Sequence, residues 1–223
     1  MQDTNNQTLD WLHDMTDIRY HRYNEARTSW EVADNTCRYL LCKDMTTPYQ
    51  DIPNHDYILF IGVNPSDANA NQPDPTYTVL HEKVQQLNAG DGVRFRYLVV
   101  ANLFAFRTPY PEVMRQQGQQ AVGDLNNWYL EHLIMGASRI VLMWGAHGSY
   151  LNRSRDVIEN FIRNHHLEYR CYAFAFNQDK SPRHPLWYDY RNMAVPDFLE
   201  VGVRYHEIFH QFVDQEQMWD SMQ

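Results

Sequence analysis

The chain has 223 residues, of which 43% are hydrophobic and 14% aromatic, enough for the sizeable core of one domain. This composition excludes a disordered or low-complexity protein. The net charge of −9 argues against a protein that binds nucleic acid, but it does not exclude one, because the local distribution of charge matters more than the sum.

Predicted strands alternate with predicted helices along the chain. Apolar runs rich in β-forming residues indicate strands at 57–63, 97–101, 140–144 and 169–176, preceded by an edge strand at 37–42. Helical stretches lie at 77–87, 119–135, 148–164 and 203–218. The run Asn88-Ala89-Gly90 predicts the end of the first helix, with the glycine in the left-handed conformation.

This alternation predicts the fold class and the domain organisation. Continuous apolar strands suit a parallel sheet that is covered on both faces. We therefore expect an α/β fold, a three-layer α/β/α arrangement with a central, mainly parallel four-stranded sheet. We expect a single domain over residues 1–223, with its core at about 57–191 and extensions at both termini.

The N-terminus and the cysteines predict the compartment. The first residues show no secretory signal, and no apolar run of the sequence is long enough to span a membrane. Cys37, Cys42 and Cys171 form neither an even disulfide set nor a CxxC pair, and three thiolates are too few for an ordinary iron–sulfur cluster. We expect a cytoplasmic protein that has no cofactor and does not contact a membrane.

Polar residues follow each of the four core strands, where α/β sheets place their active sites. The first strand runs into GVNPS, with Asn64 and Pro65, and the second ends at Asn102 in VVANLFAFR. The amide of Asn102 has two interpretations, a turn cap or a group that reads the edge of a base. The third strand ends in IVLMWGAHG, where Gly145 permits a tight turn, and the fourth leads to His184 in HPLWYDYR.

These four strand ends, in this order, resemble motifs of the uracil-DNA glycosylase superfamily. The resemblance covers roughly residues 57–191 and implies an enzyme that flips a nucleotide out of DNA and removes its base. It implies that Asn64 positions the attacking water and that His184 stabilises the charge on the departing base. Gly62, Pro65 and Asn102 would contact that base. Tyr77 would either stack on it or pack against the core.

Two departures from the superfamily pattern bear on the substrate. Uracil-specific members carry a Tyr after the proline of the first motif, and it blocks substituents at the pyrimidine 5-position. Here that residue is Ser66, which favours removal of a 5-modified pyrimidine, for example glycosylated hydroxymethylcytosine in phage DNA as a defence reaction. The last motif reads HPLW, so the wedge that fills the vacated base stack is either Leu186 or Trp187.

The remaining expectations concern DNA contacts and the type of glycosylase. DNA contacts are expected from residues on or near the last motif, namely Lys180, Arg183, Leu186, Trp187 and Arg191. A glycosylase that also cleaves the strand needs an amine. The only lysine near a motif is Lys180, to which we assign a phosphate contact. We expect a monofunctional enzyme, a monomer without metal, that leaves an abasic site.

Two alternatives come from other classes of protein. The residues His206, Glu207 and His210 match the HExxH signature of zinc hydrolases, with both histidines on one helical face. The other interpretation of this segment is an amphipathic helix. A second alternative is a member of the superfamily that lacks catalysis and only binds DNA or a nucleotide through its aromatic loops.

Overall fold

The computed structural model describes residues 21–46, 56–90, 94–187 and 199–200. One sheet contains all eight strands of these residues. The strands are β1 (His21–Tyr23), β2 (Ser29–Ala33), β3 (Arg38–Asp44), β4 (Tyr57–Gly62), β5 (Tyr97–Asn102), β6 (Arg139–Leu142), β7 (Cys171–Ala173) and β8 (Leu199–Glu200).

The sheet is mixed, with the order β1-β2-β3-β5-β4-β6-β7-β8. Strands β5, β4, β6 and β7 are mutually parallel, whereas β1, β2, β3 and β8 extend the sheet with antiparallel pairings. The α/β class is confirmed, but the prediction of a four-stranded sheet is wrong. The predicted early strand is β3, which lies inside the sheet between β2 and β5 and not at an edge. Its first five residues are buried, because the cores on the two faces of the sheet cover them.

Helices and tight turns connect the strands. The α-helices are α1 (Pro75–Ala89), α2 (Pro111–Gln116), α3 (Asn126–Gly136) and α4 (Arg153–Val157), the last continuing as a π-type turn, Ile158–Arg163. Short 3-10 turns lie at Gly118–Val122, Ala146–Asn152, Glu168–Arg170 and Pro185–Trp187. No helix of the described residues is long and apolar enough to cross a membrane.

Two predicted helices are interrupted at residues with a positive φ angle. The predicted 119–135 helix is broken at Gly123, where φ is 82°. The predicted 148–164 helix begins only after Leu151 and Asn152, both of which have φ of 54°. A left-handed residue cannot continue a right-handed helix, so each segment divides at these points. The predicted helix at 203–218 lies outside the described residues.

The predicted end of α1 is correct, but its mechanism is not. The helix ends at Ala89, while Gly90 has φ of −82° and is extended rather than left-handed. The side chain of Asn88 directs the chain back toward the sheet, because its amide donates to the carbonyl of Phe95 and accepts from the Phe95 N–H, both at 2.8 Å. This buried amide holds the start of β5 against the helix end.

Core residues lie on both faces of the sheet. Tyr57, Leu59 and Ile61 of β4 belong to a core that also contains the buried side chains of α3 and α4. Ile58 and Phe60, which point to the opposite face, belong to a second core with the buried side chains of α1. The connection after β4 leads to β5 on one side, while β6 and β7 lie on the other. The strand order therefore reverses next to β4, where open α/β sheets bind ligands at the carboxyl ends of their strands.

All three cysteines are free and buried. Burial raises the pKa of the Cys171 thiol to about 12 and also raises that of Cys37. Protonated, buried thiols of this kind are neither nucleophiles nor metal ligands at neutral pH.

Candidate functional site

A cavity of about 650 Å³ opens at the carboxyl ends of the parallel strands. Its walls include residues from the ends of β4, β5 and β6 and from the segment after β7, among them Asn64, Asn102, Gly145 and His184. The volume lies within the range of about 300–1,000 Å³ that is typical of small-molecule sites. The fold therefore brings the four predicted strand ends to one cavity.

Asn64 follows β4, and its side chain is held in one orientation. Its amide nitrogen donates to the carbonyls of Thr108, at 2.6 Å, and Pro65, at 3.2 Å. Both partners are acceptors, so the nitrogen of the amide must face them. The oxygen Oδ1 accepts from none of the described residues and is available to a water or a ligand in the cavity. Pro65 does not line the cavity; its carbonyl anchors the loop by also accepting from the Thr108 N–H at 2.8 Å.

Asn102 is the last residue of β5 and carries an unused hydrogen-bond donor. Its side chain is 4% exposed and lines the cavity, and its amide nitrogen has no partner among the described residues. A Cβ atom at Gly62 would lie 2.7 Å from the Asn102 Oδ1, so a larger residue there would displace the Asn102 side chain. A buried amide without partners costs free energy in the folded protein, which suits a residue that binds a ligand edge.

His184 lines the cavity from the segment after β7. Its Nδ1 accepts from the backbone N–H of Leu186 at 3.3 Å, which places the proton of the neutral ring on Nε2. Burial lowers the pKa of His184 below its usual value, partly opposed by the negative charge of Asp74. The ring is therefore neutral at physiological pH and presents an N–H donor at Nε2.

Ser66 and Tyr77 are linked through the start of α1. Asp74 caps this helix by accepting from the Tyr77 N–H at 2.7 Å, and its other carboxylate oxygen accepts from the Ser66 hydroxyl. All three residues line the cavity. Burial raises the pKa of the Tyr77 hydroxyl, and the ring packs against the core on the α1 face.

The turn after β6 forms a further part of the cavity. Gly145 has φ of 64° and ψ of −168°, a conformation that requires glycine, and this confirms the predicted tight turn. Gly148 lies directly against the ring of Trp144, where any Cβ atom would collide with the indole. Trp144 is 3% exposed, so its ring provides a rigid apolar surface beside the polar groups.

The structure adds a charged group that sequence reasoning missed. Arg38, at the start of β3, is 3% exposed and lines the cavity. Its Nη1 donates to the carbonyl of Ala68. Nearby, Glu31 accepts from Arg107 at 2.7 Å and lies 3.8 Å from the guanidinium of Arg22. Arg38 comes from the antiparallel part of the sheet, which apolar periodicity alone did not connect to the strand ends.

Asp74 was also missed, although the sequence carries a signal for it. An Asp directly before a Pro at the start of a helical stretch is a typical N-cap. That signal places Asp74 at the start of α1, on the loop that follows β4. No comparable local signal marks Arg38, whose position depends on the pairing of β3 with β5.

The predicted DNA-contacting residues are only partly gathered at the cavity. Leu186 lines it and is 48% exposed, as a wedge requires. Lys180 is exposed but does not line it, and Arg183 is half-buried with its Nε donating to Asn177 Oδ1 at 3.1 Å. Trp187 is placed by its backbone alone, and Arg191 lies outside the described residues.

The metal alternative finds no support in the part of the chain that the structure describes. No cluster of three or more His, Cys, Asp or Glu residues there could hold a metal ion. The HExxH residues His206, Glu207 and His210 lie outside the described residues, so the zinc-hydrolase alternative stays a prediction.

The fold and the cavity together define an α/β protein with a cavity at the carboxyl ends of its parallel strands. The chain belongs to the family described as "Protein of unknown function (DUF1643)", which matches residues 38–186, more than half of its length. The match begins at Arg38 and ends at Leu186, which are the first and last of the described residues that line the cavity. No curated protein and no solved structure matches the sequence.

Proposed function

We propose that the protein is a monofunctional DNA glycosylase that removes a 5-modified pyrimidine. The observation that carries this proposal is the convergence of three polar groups from separate strand ends on one cavity. Asn64 presents an oxygen acceptor, Asn102 an amide donor and His184 an N–H donor on a neutral ring. None of these three atoms has a partner among the described residues.

The three groups match the requirements of glycosidic hydrolysis. The bond between the anomeric carbon and the base nitrogen breaks, and its electron pair leaves with the base. The oxygen of a water bonds to the anomeric carbon, and the proton that this water loses passes to solvent. Asn64 Oδ1 accepts a hydrogen bond from the water and orients it. Asn64 does not remove the proton of the water, because an amide is too weak a base. His184 Nε2–H donates to the base oxygen on which negative charge grows.

The loop after β4 supports a substrate with a substituent on the base. Ser66 is small, and its hydroxyl is directed toward Asp74. Its position therefore leaves room where the uracil-specific members place a tyrosine. A cavity of about 650 Å³ accommodates more than a bare pyrimidine ring. Glycosylated hydroxymethylcytosine in phage DNA is one such substrate, and its removal would be a defence reaction in the cytoplasm.

Positive groups beside the cavity support a DNA partner despite the net charge of −9. Arg115 is exposed and its guanidinium lies 2.9 Å from His147 Nδ1, and His147 lines the cavity. Lys180 is exposed after β7. A monomer needs only a local positive surface to bind the backbone next to one flipped nucleotide.

The test is formation of abasic sites on matched DNA duplexes. The panel contains unmodified DNA, DNA with uracil, and DNA with 5-modified cytosines that include a glycosylated one. We expect abasic sites on the 5-modified DNA, and their loss in Asn64→Ala. Activity on uracil alone would support the glycosylase reaction but contradict the argument that Ser66 makes room for a substituent.

A complete absence of abasic sites would reject the proposed reaction. Tight binding of the same duplexes without chemistry would then favour the non-catalytic member of the superfamily. A zinc analysis of the purified full chain tests the remaining alternative, because the glycosylase needs no metal.

A further inference from the structure

Arg38 has more hydrogen-bond donors than the described residues pair. Its side chain is buried at the wall of the cavity, where the carbonyl of Ala68 is the one acceptor that the described residues provide. Its Nε is buried and has no partner among those residues. A guanidinium carries five N–H donors in a fixed plane, so Arg38 has donors beyond the one that the described residues pair.

The nearby carboxylates compensate the charge of Arg38 only in part. Glu31, the carboxylate buried nearby, is already paired with Arg107 and Arg22. Burial, and then the positive charge of Arg107, lower the pKa of Arg38 to about 10, although the negative charges of Glu31 and Asp74 act in the opposite direction. The guanidinium is still charged at neutral pH, and a buried charge is unfavourable unless it is paired.

Arg153 shows how a buried arginine with a structural role differs. It is 5% exposed, and burial also lowers its pKa to about 10. Its Nε donates to the carbonyl of Leu103 at 2.8 Å, and its Nη2 donates to Asn127 Oδ1. It does not line the cavity. The donors of Arg153 are used within the fold, whereas Arg38 lines the cavity and, among the described residues, donates only to the carbonyl of Ala68.

The contacts of Arg38 locate it on a particular wall. Ala68, which it contacts, lies two residues after Ser66, and Ser66 donates to Asp74. We name Arg38, Ser66, Ala68 and Asp74 the Arg38 wall; all four line the cavity. In the proposed function Ser66 faces the pyrimidine 5-position. We propose that Arg38 determines specificity by donating hydrogen bonds to oxygen atoms of the substituent at that position, an inference that rests on the proposed function.

The second charge of the Arg38 wall restricts the substituent further. The carboxylate of Asp74 would repel a carboxylate or phosphate on the base, but it can accept from a hydroxyl group. A hydroxyl can accept from Arg38 and donate to Asp74 at the same time. The wall therefore fits a neutral substituent that carries hydroxyl groups.

The experiment compares duplexes that differ only in the 5-substituent of one cytosine: methyl, hydroxymethyl, glucosyl-oxymethyl and carboxyl. We expect Arg38→Met to lower the preference for the hydroxylated substituents over methyl by about 10- to 100-fold, the range for hydrogen bonds to a charged donor. Arg38→Lys keeps the charge without the planar fork and should recover only part of the preference. Equal losses on all four duplexes, or a preference for carboxyl that requires Arg38, would overturn the inference.

Arg153→Met is the matched control. It should lower the thermal midpoint because the bonds from Arg153 to the Leu103 carbonyl and to Asn127 are lost, while the substituent preference stays as in the wild type. Arg38→Met should not lower the midpoint, because it replaces a poorly paired buried charge with an apolar side chain of similar length.

A binding measurement separates this inference from the proposed reaction. Asn64→Ala, with and without Arg38→Met, is titrated with the same fluorescent duplexes. If the wild type forms no abasic sites, the proposed reaction fails. Tighter binding of hydroxylated than of methylated cytosine, lost with Arg38→Met, would then still support recognition by Arg38. Equal binding of all duplexes would overturn it.

Discussion

The cavity has two walls with different origins and different chemistry. One wall consists of the strand-end residues Asn64, Asn102 and His184, which are neutral and belong to the parallel part of the sheet and the segments that follow its strands. The Arg38 wall combines the loop after β4 with the start of β3, an antiparallel strand, and it carries two opposite charges. Neutral groups whose hydrogen-bonding atoms have no partner among the described residues suit contacts to a reacting base. Buried charges suit the recognition of a polar substituent.

This difference separates catalysis from selection in the proposed enzyme. Substitutions of the strand-end residues should lower the rate on every substrate. Substitutions on the Arg38 wall should change which substrate is preferred. The following variants test that separation, in order of decreasing expected effect.

Asn64→Ala should give the largest loss of activity, on the order of 100- to 1,000-fold in single-turnover formation of abasic sites on any DNA substrate. The reason is the loss of the oxygen that orients the attacking water. Asn64→Asp should destabilise the protein by about 1–3 kcal/mol, because a carboxylate oxygen would face the carbonyl of Thr108 in place of a donor. If Asn64→Ala kept the wild-type rate on one class of substrate, Asn64 would affect substrate selection, and the two walls would not have separate roles.

His184→Gln should lower the rate about 100-fold and remove the acid limb of the pH–rate profile. In the wild type this limb should lie below pH 6.5, because burial lowers the pKa of His184 from that value. Protonation of Nδ1 would abolish its bond from the Leu186 N–H. The unfolded chain binds this proton at about pH 6.5, whereas folded His184 binds it only at the lowered pKa. The free energy of unfolding therefore falls as the pH drops from about 6.5 through the lowered pKa.

An acid limb above pH 6.5, or one that persists in His184→Gln, would contradict this assignment. The measurement is the single-turnover rate between about pH 5 and pH 8, with thermal midpoints recorded at each pH. Asp74 is the charged neighbour that raises the pKa of His184, so Asp74→Asn should move the limb to lower pH.

Asn102→Leu should lower activity about 10- to 100-fold while leaving stability equal or greater. The unpartnered amide nitrogen is removed, and a buried apolar side chain of similar size costs nothing to desolvate. Rates and urea unfolding curves together distinguish this outcome from simple damage to the fold. A fall in both stability and activity would mean that the amide has a structural role.

Leu186→Ala should have the smallest effect, about tenfold on duplex DNA and less on single-stranded DNA. Leu186 is 48% exposed at the cavity, where a wedge would fill the vacated base stack. A single strand has no stack to fill, so the ratio of the two rates is the informative quantity. An equal loss of rate on duplex and single-stranded DNA would mean that Leu186 is not the wedge.

The sequence predicted the strand-end wall well because its signals are local. Each core strand is a run of apolar residues, and a glycine, asparagine or proline marks where it ends. The parallel arrangement then brings the ends together. The central strands, the end of α1 and the turn at Gly145 follow from such signals.

The Arg38 wall could not be predicted in the same way. Strands β1 and β2 are only three and five residues long, too short for a clear period, and without them β3 resembles an edge strand. A buried arginine at the start of such a strand looks like a solvent-exposed residue in the sequence. The interruptions at Leu151 and Asn152 were missed for a similar reason, since nothing in their residue types demands a left-handed conformation.

Asn102 and Arg38 each have a buried donor without a partner in the described part of the chain, and this offers a way to find the substrate. A small molecule that supplies their missing acceptors binds only the folded chain and so shifts the unfolding equilibrium. At a concentration of about 100 times its Kd, it adds roughly 2.7 kcal/mol to the free energy of unfolding. A collection of free bases and nucleosides can therefore be ranked by the melting temperatures that they produce, before any modified DNA is synthesised.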